Sequence, residues 1–290
     1  MSVRAFCLLA VACGLCAAAA CAPKPPSLPA GAGSPFPDFA SVYQQATAPC
    51  REVTTLTASM AMSGKAGKAK LRGRIDAGFA APGRARLEGI PPFGKPVFVL
   101  VADQGKGTLV LTRDDRVLRD APPEAIVEAL AGVALAPDDL RTVVTGCGFG
   151  AAAAEGRSYP NGWIGGTTPN GAVYLRRAGA AWEVAAATRG GIIVTYADYA
   201  AGRPSTIRVR AESGGATTAD LTLRLSDVAL NTTLDPKTFD ITADLPEHPV
   251  PLTLEELRRA GPLGGVEDRK TADRRPQTAD RQPPTVNRKP

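Results

Sequence analysis

An alternation of apolar and polar residues, broken only by short turns, is the feature that most constrains how this chain of 290 residues can fold. Such alternation predicts strands that have one face in the core and one in water. Residues 84–88 (Arg-Ala-Arg-Leu-Glu) are typical of it, and the turns at Pro82-Gly83 and Gln104-Gly105 are too short to connect parallel neighbours. The chain is therefore expected to form an antiparallel sheet with one wet face.

Eleven strands and three helices are expected along the chain. The strands are 53–62, 69–79, 84–90, 97–102, 108–112, 172–176, 182–187, 192–196, 206–211, 221–228 and 239–243. One helix is 38–48, and two others begin at Pro123 and Pro137 and stop at Gly132 and Gly146, because proline suits the first turn of a helix and glycine its end. A long antiparallel sheet with a few helices on one face is either a sandwich or a curved, incompletely closed barrel.

Composition limits both the core and the chemistry. Hydrophobic residues make up 44% of the chain but aromatic residues only 5%, so Val, Leu and Ile must build the core with few large side chains. The single histidine, His248, excludes multi-histidine metal sites, and no Gly-x-Ser-x-Gly, His-Glu-x-x-His or P-loop motif occurs. We therefore expect no enzyme activity, no cofactor and no metal. A net charge of +6 suits an anionic membrane surface better than nucleic acid.

The first twenty residues have the order of a secretory signal peptide, in which Arg4 precedes an uncharged stretch that ends in alanines. Residues 1–20 are therefore expected to be removed. Cys21 stands where bacterial lipoproteins are acylated, and Ala22 replaces the aspartate that retains enterobacterial lipoproteins at the inner membrane. By this resemblance the protein is lipidated at Cys21 and anchored in the outer membrane, facing the periplasm. Ordinary cleavage before Cys21, which gives a soluble periplasmic protein, is the alternative.

Two low-complexity segments flank the domain expected at 38–261. Residues 21–37 contain six prolines and no apolar period, which predicts a semi-rigid Pro-rich tether that spans at most about 50 Å. Residues 262–290 contain no aromatic residue and many charges and prolines. This composition predicts a disordered basic tail.

Two cysteines remain once the signal peptide and Cys21 are set aside, and they are Cys50 and Cys147. In an oxidising periplasm such a pair is expected to form a disulfide. Two unrelated thiols are the alternative.

Two further segments carry a resemblance to a known family. Residues 84–100 read RARLEGIPPFGKPVFVL, which is a strand, a Pro-x-Gly loop and a strand, and residues 130–146 read LAGVALAPDDLRTVVTG, which is part of a helix pair. In this order, in a lipoprotein of about eleven strands, they resemble the outer-membrane lipoprotein insertion factor LolB over roughly residues 36–245. The resemblance implies a mainly β fold with few helices, an incomplete, half-open antiparallel β-barrel capped by helices.

The function implied by this resemblance is lipoprotein insertion. An apolar cavity receives the acyl chains of a lipoprotein cargo from the periplasmic carrier LolA, and the protein, expected to be a monomer, releases the cargo into outer-membrane phospholipid. A bulky apolar residue of the loop takes part in insertion, and the matching loop here is Pro92, Phe93 and Gly94. Alternatively, Phe93 folds back onto the sheet as edge core. A lipid-binding or scaffolding envelope lipoprotein of the same fold, without insertion activity, is the alternative function.

Candidate cavity residues occupy alternating apolar positions of the predicted strands, and ordinary core is the alternative for each. They are Leu71, Ile75, Phe98, Leu100, Leu109, Leu111, Ile207, Val209, Leu223 and Leu225.

Overall fold

The computed structural model describes residues 27–91, 93, 95–150 and 155–262. The predicted signal peptide, Cys21, the start of the tether, Pro92, Gly94 and the predicted tail from residue 263 lie outside these residues. Residues 27–31 contain no helix or strand. From Ala32 onward, the described part of the chain forms one large sheet with helices packed on it.

Fifteen strands belong to this sheet within the described residues. They are β1 (Ser34–Pro35), β2 (Thr55–Ala66), β3 (Ala69–Ala80), β4 (Arg84–Ile90), β5 (Phe98–Asp103), β6 (Lys106–Leu111), β7 (Arg116–Ala121), β8 (Gly156–Tyr159), β9 (Trp163–Thr168), β10 (Gly171–Ala178), β11 (Ala181–Arg189), β12 (Ile192–Ala200), β13 (Arg203–Ser213), β14 (Ala216–Leu230) and β15 (Val250–Pro251).

The strands stand in the order β1-β8-β9-β10-β11-β12-β13-β14-β2-β3-β4-β5-β6-β7-β15. Every neighbouring pair is antiparallel except β7 and β15. In the described part of the chain, β1 and β15 are the outer strands and do not pair with each other, so the sheet is open. The antiparallel prediction is confirmed, but the expected barrel of about eleven strands is too small.

One predicted strand is wrong. Residues 239–243 are not in the sheet, because this part of the chain forms 3₁₀ turns at Pro236–Phe239 and Thr242–Asp244. The Asp240 carboxylate accepts a hydrogen bond from the Thr242 N–H (2.9 Å). Such a local bond between side chain and backbone offers the chain an alternative to a sheet ladder. The apolar residues Phe239 and Ile241 had suggested a strand, but the hydrogen bond of Asp240 forms a turn instead.

Five strands have no counterpart in the sequence prediction. They are β1, β7, β8, β9 and β15. β1 and β15 have only two residues each, β9 contains two adjacent glycines, and in β7 the neighbouring residues Val117 and Leu118 are both buried, so alternation is lost. β1 also lies within the segment that was predicted to be a tether, and it pairs with β8.

Four helices are present in the described residues: α1 (Phe39–Arg51), α2 (Pro123–Ala131), α3 (Pro137–Thr145) and α4 (Leu254–Ala260). As predicted, α2 and α3 begin at prolines and end at Gly132 and Gly146, whose φ angles of 75° and 92° favour glycine. α1 continues past its predicted end. α4 is absent from the prediction, although Thr253 and Glu256 form a capping box at its start.

The core lies on the inner face of the sheet. In β2, the alternate residues Leu56, Ala58 and Met60 point inward and are buried. α2 packs against β6 and α4, whereas α3 packs against β3, β4 and β13. The two helices therefore cover the inner face from different sides.

Candidate functional site

An apolar cavity of about 90 Å³ lies between the inner face of the sheet and helices α2 and α3. Its walls come from β2 to β5, β13, β14, the two helices and the segment that joins them. Within the described part of the chain, every residue that lines it is apolar. They are Met60, Met62, Ile75, Phe79, Leu87, Phe98, Leu100, Val127, Leu130, Ala131, Val133, Leu135, Leu140, Val143, Val144, Val209, Leu221 and Leu223.

Strand register brings the sheet wall of this cavity together. Met60 lies directly opposite Ile75 of β3, and Met62 lies opposite Leu223 of β14. Residues two apart on a strand share a face, so both methionines point into the cavity. Methionine is unbranched and flexible, and this part of the wall can adapt to the shape of a ligand.

The Phe98 ring forms another part of the wall and depends on a glycine. Gly89 of β4 pairs with Phe98 of β5. A β-carbon at position 89 would overlap the Phe98 ring, so any larger residue there would force the ring to move. Gly89 therefore determines where this aromatic side chain stands.

Helix α3 is attached to the sheet by polar contacts. The Asp139 carboxylate accepts two hydrogen bonds from the Arg189 guanidinium of β11 (2.7 and 2.6 Å). Arg141 donates to the carbonyl oxygen of Val53, just before β2 (2.5 Å). Bidentate, charge-assisted contacts of this kind are strong and directional. The α3 side of the cavity is therefore fixed.

Helix α2 is attached mainly by apolar contacts. Its side chains make one ion pair within the described residues, between Glu128 and Arg258 of α4 (3.6 Å), and both groups are half exposed. An exposed ion pair contributes only about 0–1 kcal/mol. On its inner side, the buried Ile126 packs against Gly107 of β6. α2 is thus held mainly by apolar packing, whereas α3 is also held by charged contacts.

The cavity can accommodate only an apolar group. Its lining residues offer no side-chain hydrogen-bond partner, and a buried polar group without a partner costs about 1–3 kcal/mol. A closed apolar cavity of about 150 Å³ admits benzene, so a space of about 90 Å³ is too small for a long acyl chain. A larger ligand requires the cavity to widen.

Phe93 lies in the loop between β4 and β5, and its side chain is 93% exposed. The ring stands in solvent and does not pack on the edge of the sheet. Val250, at 49%, is the other strongly exposed large apolar residue among those described. No helix in the described ranges is long and apolar enough to cross a membrane. Phe93 therefore contributes nothing to the core of the fold.

Cys50 of α1 and Cys147, which follows α3, form a disulfide with their Cα atoms 5.8 Å apart. Both residues are buried. The next residue is also fixed, because the Gly148 N–H donates a hydrogen bond to the Tyr196 hydroxyl oxygen (3.1 Å), and burial raises the pKa of Tyr196. This arrangement holds α1 against the end of α3 and contains no titratable thiol.

No protein-family model and no curated protein matches the chain. Among solved structures, it is similar to a LolA superfamily protein from Nitrosomonas europaea (12% identity, TM-score 0.48, 68% of this chain and 96% of the other). A domain named as an outer membrane lipoprotein-sorting protein, from Vibrio parahaemolyticus, is 13% identical (TM-score 0.47, 70% and 96%). A DUF1329 family protein from Desulfovibrio piger is 10% identical (TM-score 0.43, 71% and 98%). These values assign the chain to no family and no function.

The ten predicted cavity residues fall into three groups in the structure. Five of them line the cavity: Ile75, Phe98, Leu100, Val209 and Leu223. Three are buried in the core without bordering the cavity: Leu71, Leu109 and Ile207. The other two, Leu111 and Leu225, are half-buried. Leu225 borders a separate space of about 140 Å³.

The sequence analysis missed most of the helix wall and both methionines. Met60 and Met62 lie in a predicted strand at the same parity as Leu56, so alternation could have identified them. Val133 and Leu135 lie between the two helices, and no periodic pattern marks such a segment. Cys21, Pro92 and Gly94 lie outside the described residues.

Proposed function

We propose that this protein is an outer-membrane-anchored lipoprotein, facing the periplasm, that accepts acylated lipoproteins from a LolA-like carrier and inserts them into the outer membrane. The observation that carries the proposal is the wholly apolar cavity beneath α2 and α3. The two segments that resemble LolB, 84–100 and 130–146, supply ten of its eighteen lining residues. No catalytic step is proposed.

Acyl transfer through such a cavity needs little net free energy. Each buried methylene contributes about 0.8 kcal/mol, in an apolar cavity as in a bilayer. An acyl chain that moves from the cavity into a membrane therefore exchanges one apolar environment for another. A cavity without polar groups binds an acyl chain only through the burial of its methylenes, so no hydrogen bond has to break when the acyl chain leaves.

Phe93 is the residue proposed to enter the bilayer during insertion. An aromatic ring has a large apolar surface, and here that surface is not used by the fold. Its place at a loop tip lets it reach a membrane ahead of the sheet. This role rests on the exposure of the ring and on the LolB resemblance of its loop.

The test is Phe93→Glu, with Phe93→Leu and Val250→Glu as controls. Labelled lipoprotein is transferred from its carrier to vesicles, and binding of a fluorescent fatty acid is measured on the same protein samples. Phe93→Glu is expected to leave folding and fatty-acid binding intact but to abolish transfer, because a carboxylate resists entry into a bilayer. Phe93→Leu and Val250→Glu are expected to transfer normally.

Unchanged transfer by Phe93→Glu would refute the role of the loop. If the wild type binds fatty acid but transfers no lipoprotein, the alternative function, a lipid-binding or scaffolding envelope lipoprotein, would be favoured. Absence of fatty-acid binding in the wild type would refute the proposed function itself.

A further inference from the structure

The β2–β3 hairpin carries a group of basic side chains at its tip. Lys65 is the next-to-last residue of β2 and lies on the outer face, Lys68 lies in the turn, and Lys70 and Arg72 follow on the outer face of β3. All four are exposed. None of the four makes an ion pair with any described residue. These four residues are called the basic hairpin below.

Strand register places the basic hairpin beside Phe93. β4 ends at Ile90, which pairs with Arg74, so β3 extends beyond β4 from Gly73 back to Ala69. At about 3.4 Å per residue this overhang is about 17 Å long. The loop of Phe93 begins where the overhang begins, and the hairpin tip and the loop lie at the same end of the sheet.

The charges of the basic hairpin are not balanced by the fold. Lys65 and Lys70 stand directly opposite each other, and like charges in that position are destabilising. On its other side Lys65 is paired in register with Asp220. The Asp220 carboxylate, however, accepts two hydrogen bonds from Arg208 (2.7 and 2.6 Å), and this contact lowers the pKa of Asp220. An acidic residue at position 65 or 70 would remove the repulsion, and the sequence has none there.

The Phe93 loop itself adds one exposed base, Lys95, and the larger positive surface is the basic hairpin on one side of that loop. The β6–β7 turn, on the other side of the Phe93 loop, carries Arg113 together with Asp114 and Asp115. The Thr112 N–H of that turn donates to the Val97 carbonyl oxygen at the base of the loop (3.3 Å). An anionic partner that meets this end of the sheet is therefore attracted to the hairpin side.

We propose that the basic hairpin docks the protein onto anionic phospholipid headgroups while Phe93 enters the same bilayer. An exposed ring beside uncompensated lysines is the combination that surface-binding proteins use, since apolar burial and attraction to anionic lipid add. The inference deepens the proposed function and rests on it, because it assigns the surface through which cargo would leave.

The experiment uses the chain from Ala22 onward, so that neither the predicted signal peptide nor an acyl anchor at Cys21 contributes to binding. Partition is measured onto phosphatidylcholine vesicles with and without phosphatidylglycerol, at low and high salt. The variant is Lys65→Gln, Lys68→Gln, Lys70→Gln and Arg72→Gln combined. Its matched control replaces by glutamine four exposed bases that lie toward the opposite end of the sheet: Lys106, Arg119, Arg177 and Lys237.

The hairpin variant is expected to lose several-hundred-fold in partition onto anionic vesicles at low salt, because each basic residue near such a surface contributes about fivefold. The control, which has the same net charge, should retain most of the wild-type partition. High salt should weaken the wild type and leave the hairpin variant little changed. Thermal unfolding of both variants verifies that they fold.

Equal losses in the two variants, or no loss in the hairpin variant, would overturn the inference. So would a hairpin variant that binds vesicles normally but fails to receive cargo from the carrier, since the hairpin would then bind a protein. Fatty-acid binding is measured separately on each variant. Its absence in the wild type would refute the proposed function, whereas docking is judged by vesicle partition alone.

Discussion

Filling the cavity from helix α2 is expected to stabilise the protein and to weaken its binding of acyl chains. Ala131, the last residue of α2, lines the cavity and is half-buried. Leucine adds three carbon atoms at this position, and its helix propensity is close to that of alanine. Ala131→Leu therefore changes the cavity more than it changes the helix.

The magnitude follows from the cavity volume. Cavities cost about 24 cal/mol per Å³, so filling all of the about 90 Å³ would gain at most about 2 kcal/mol. For a domain of this size that corresponds to a rise in Tm of roughly 4–8 °C. Three ligand methylenes displaced at about 0.8 kcal/mol each weaken acyl binding by roughly 50-fold.

The assay pairs thermal unfolding with titration of a fluorescent fatty acid. Ala125→Leu is the control, because Ala125 lies in the same helix, is half-buried and does not line the cavity. It should leave fatty-acid affinity unchanged. Wild-type affinity in Ala131→Leu would show that acyl chains bind elsewhere. A matching loss in Ala125→Leu would show that affinity responds to any disturbance of α2.

Two further predictions concern stability. Replacing Cys50 and Cys147 together by serine removes a cross-link between residues 97 apart and should lower the free energy of unfolding by up to about 4.7 kcal/mol. This is measured by urea denaturation against the oxidised wild type, with the reduced wild type as control, and a variant as stable as the oxidised wild type would contradict it. Arg208 lowers the pKa of Asp220, so this pair stabilises the fold at neutral pH and loses its effect as the pH falls through the folded pKa, below the usual value near 3.8. Asp220→Asn should therefore cost about 0.2–1 kcal/mol at pH 7 and almost nothing in strong acid, and a cost independent of pH would refute the pairing.

Alternation was sufficient to predict most of the sheet, because strands such as β4 and the first half of β2 bury every second residue. It failed where side chains serve other purposes. Asp240 turns the chain at 239–243 by binding the backbone of Thr242. β9 has apolar residues at positions 163 and 164 but glycines at 165 and 166, so it shows no alternation. A segment such as β9 joins the sheet because it pairs with β8 and β10. A local sequence pattern does not show such pairing.

The cavity was predictable in kind but only partly in detail. Counting every second residue along a strand identifies which side chains point inward. By this rule Leu100 and Leu109, which pair across two strands, both point inward. Only Leu100 borders the open space, whereas Leu109 is packed in the core. The difference depends on where the helices lie over the sheet, and that depends on contacts distant in sequence, such as the one between Asp139 and Arg189.

The Phe93 loop leads directly into the Phe98 wall of the cavity. Phe93 and Phe98 are five residues apart, at most about 18 Å along an extended chain. The base of their loop is fixed on both sides, since the Val97 N–H donates to the Gly89 carbonyl oxygen (2.8 Å) and the Val97 carbonyl accepts from the Thr112 N–H (3.3 Å). A bilayer that takes up the Phe93 ring is therefore held close to the Phe98 side of the cavity.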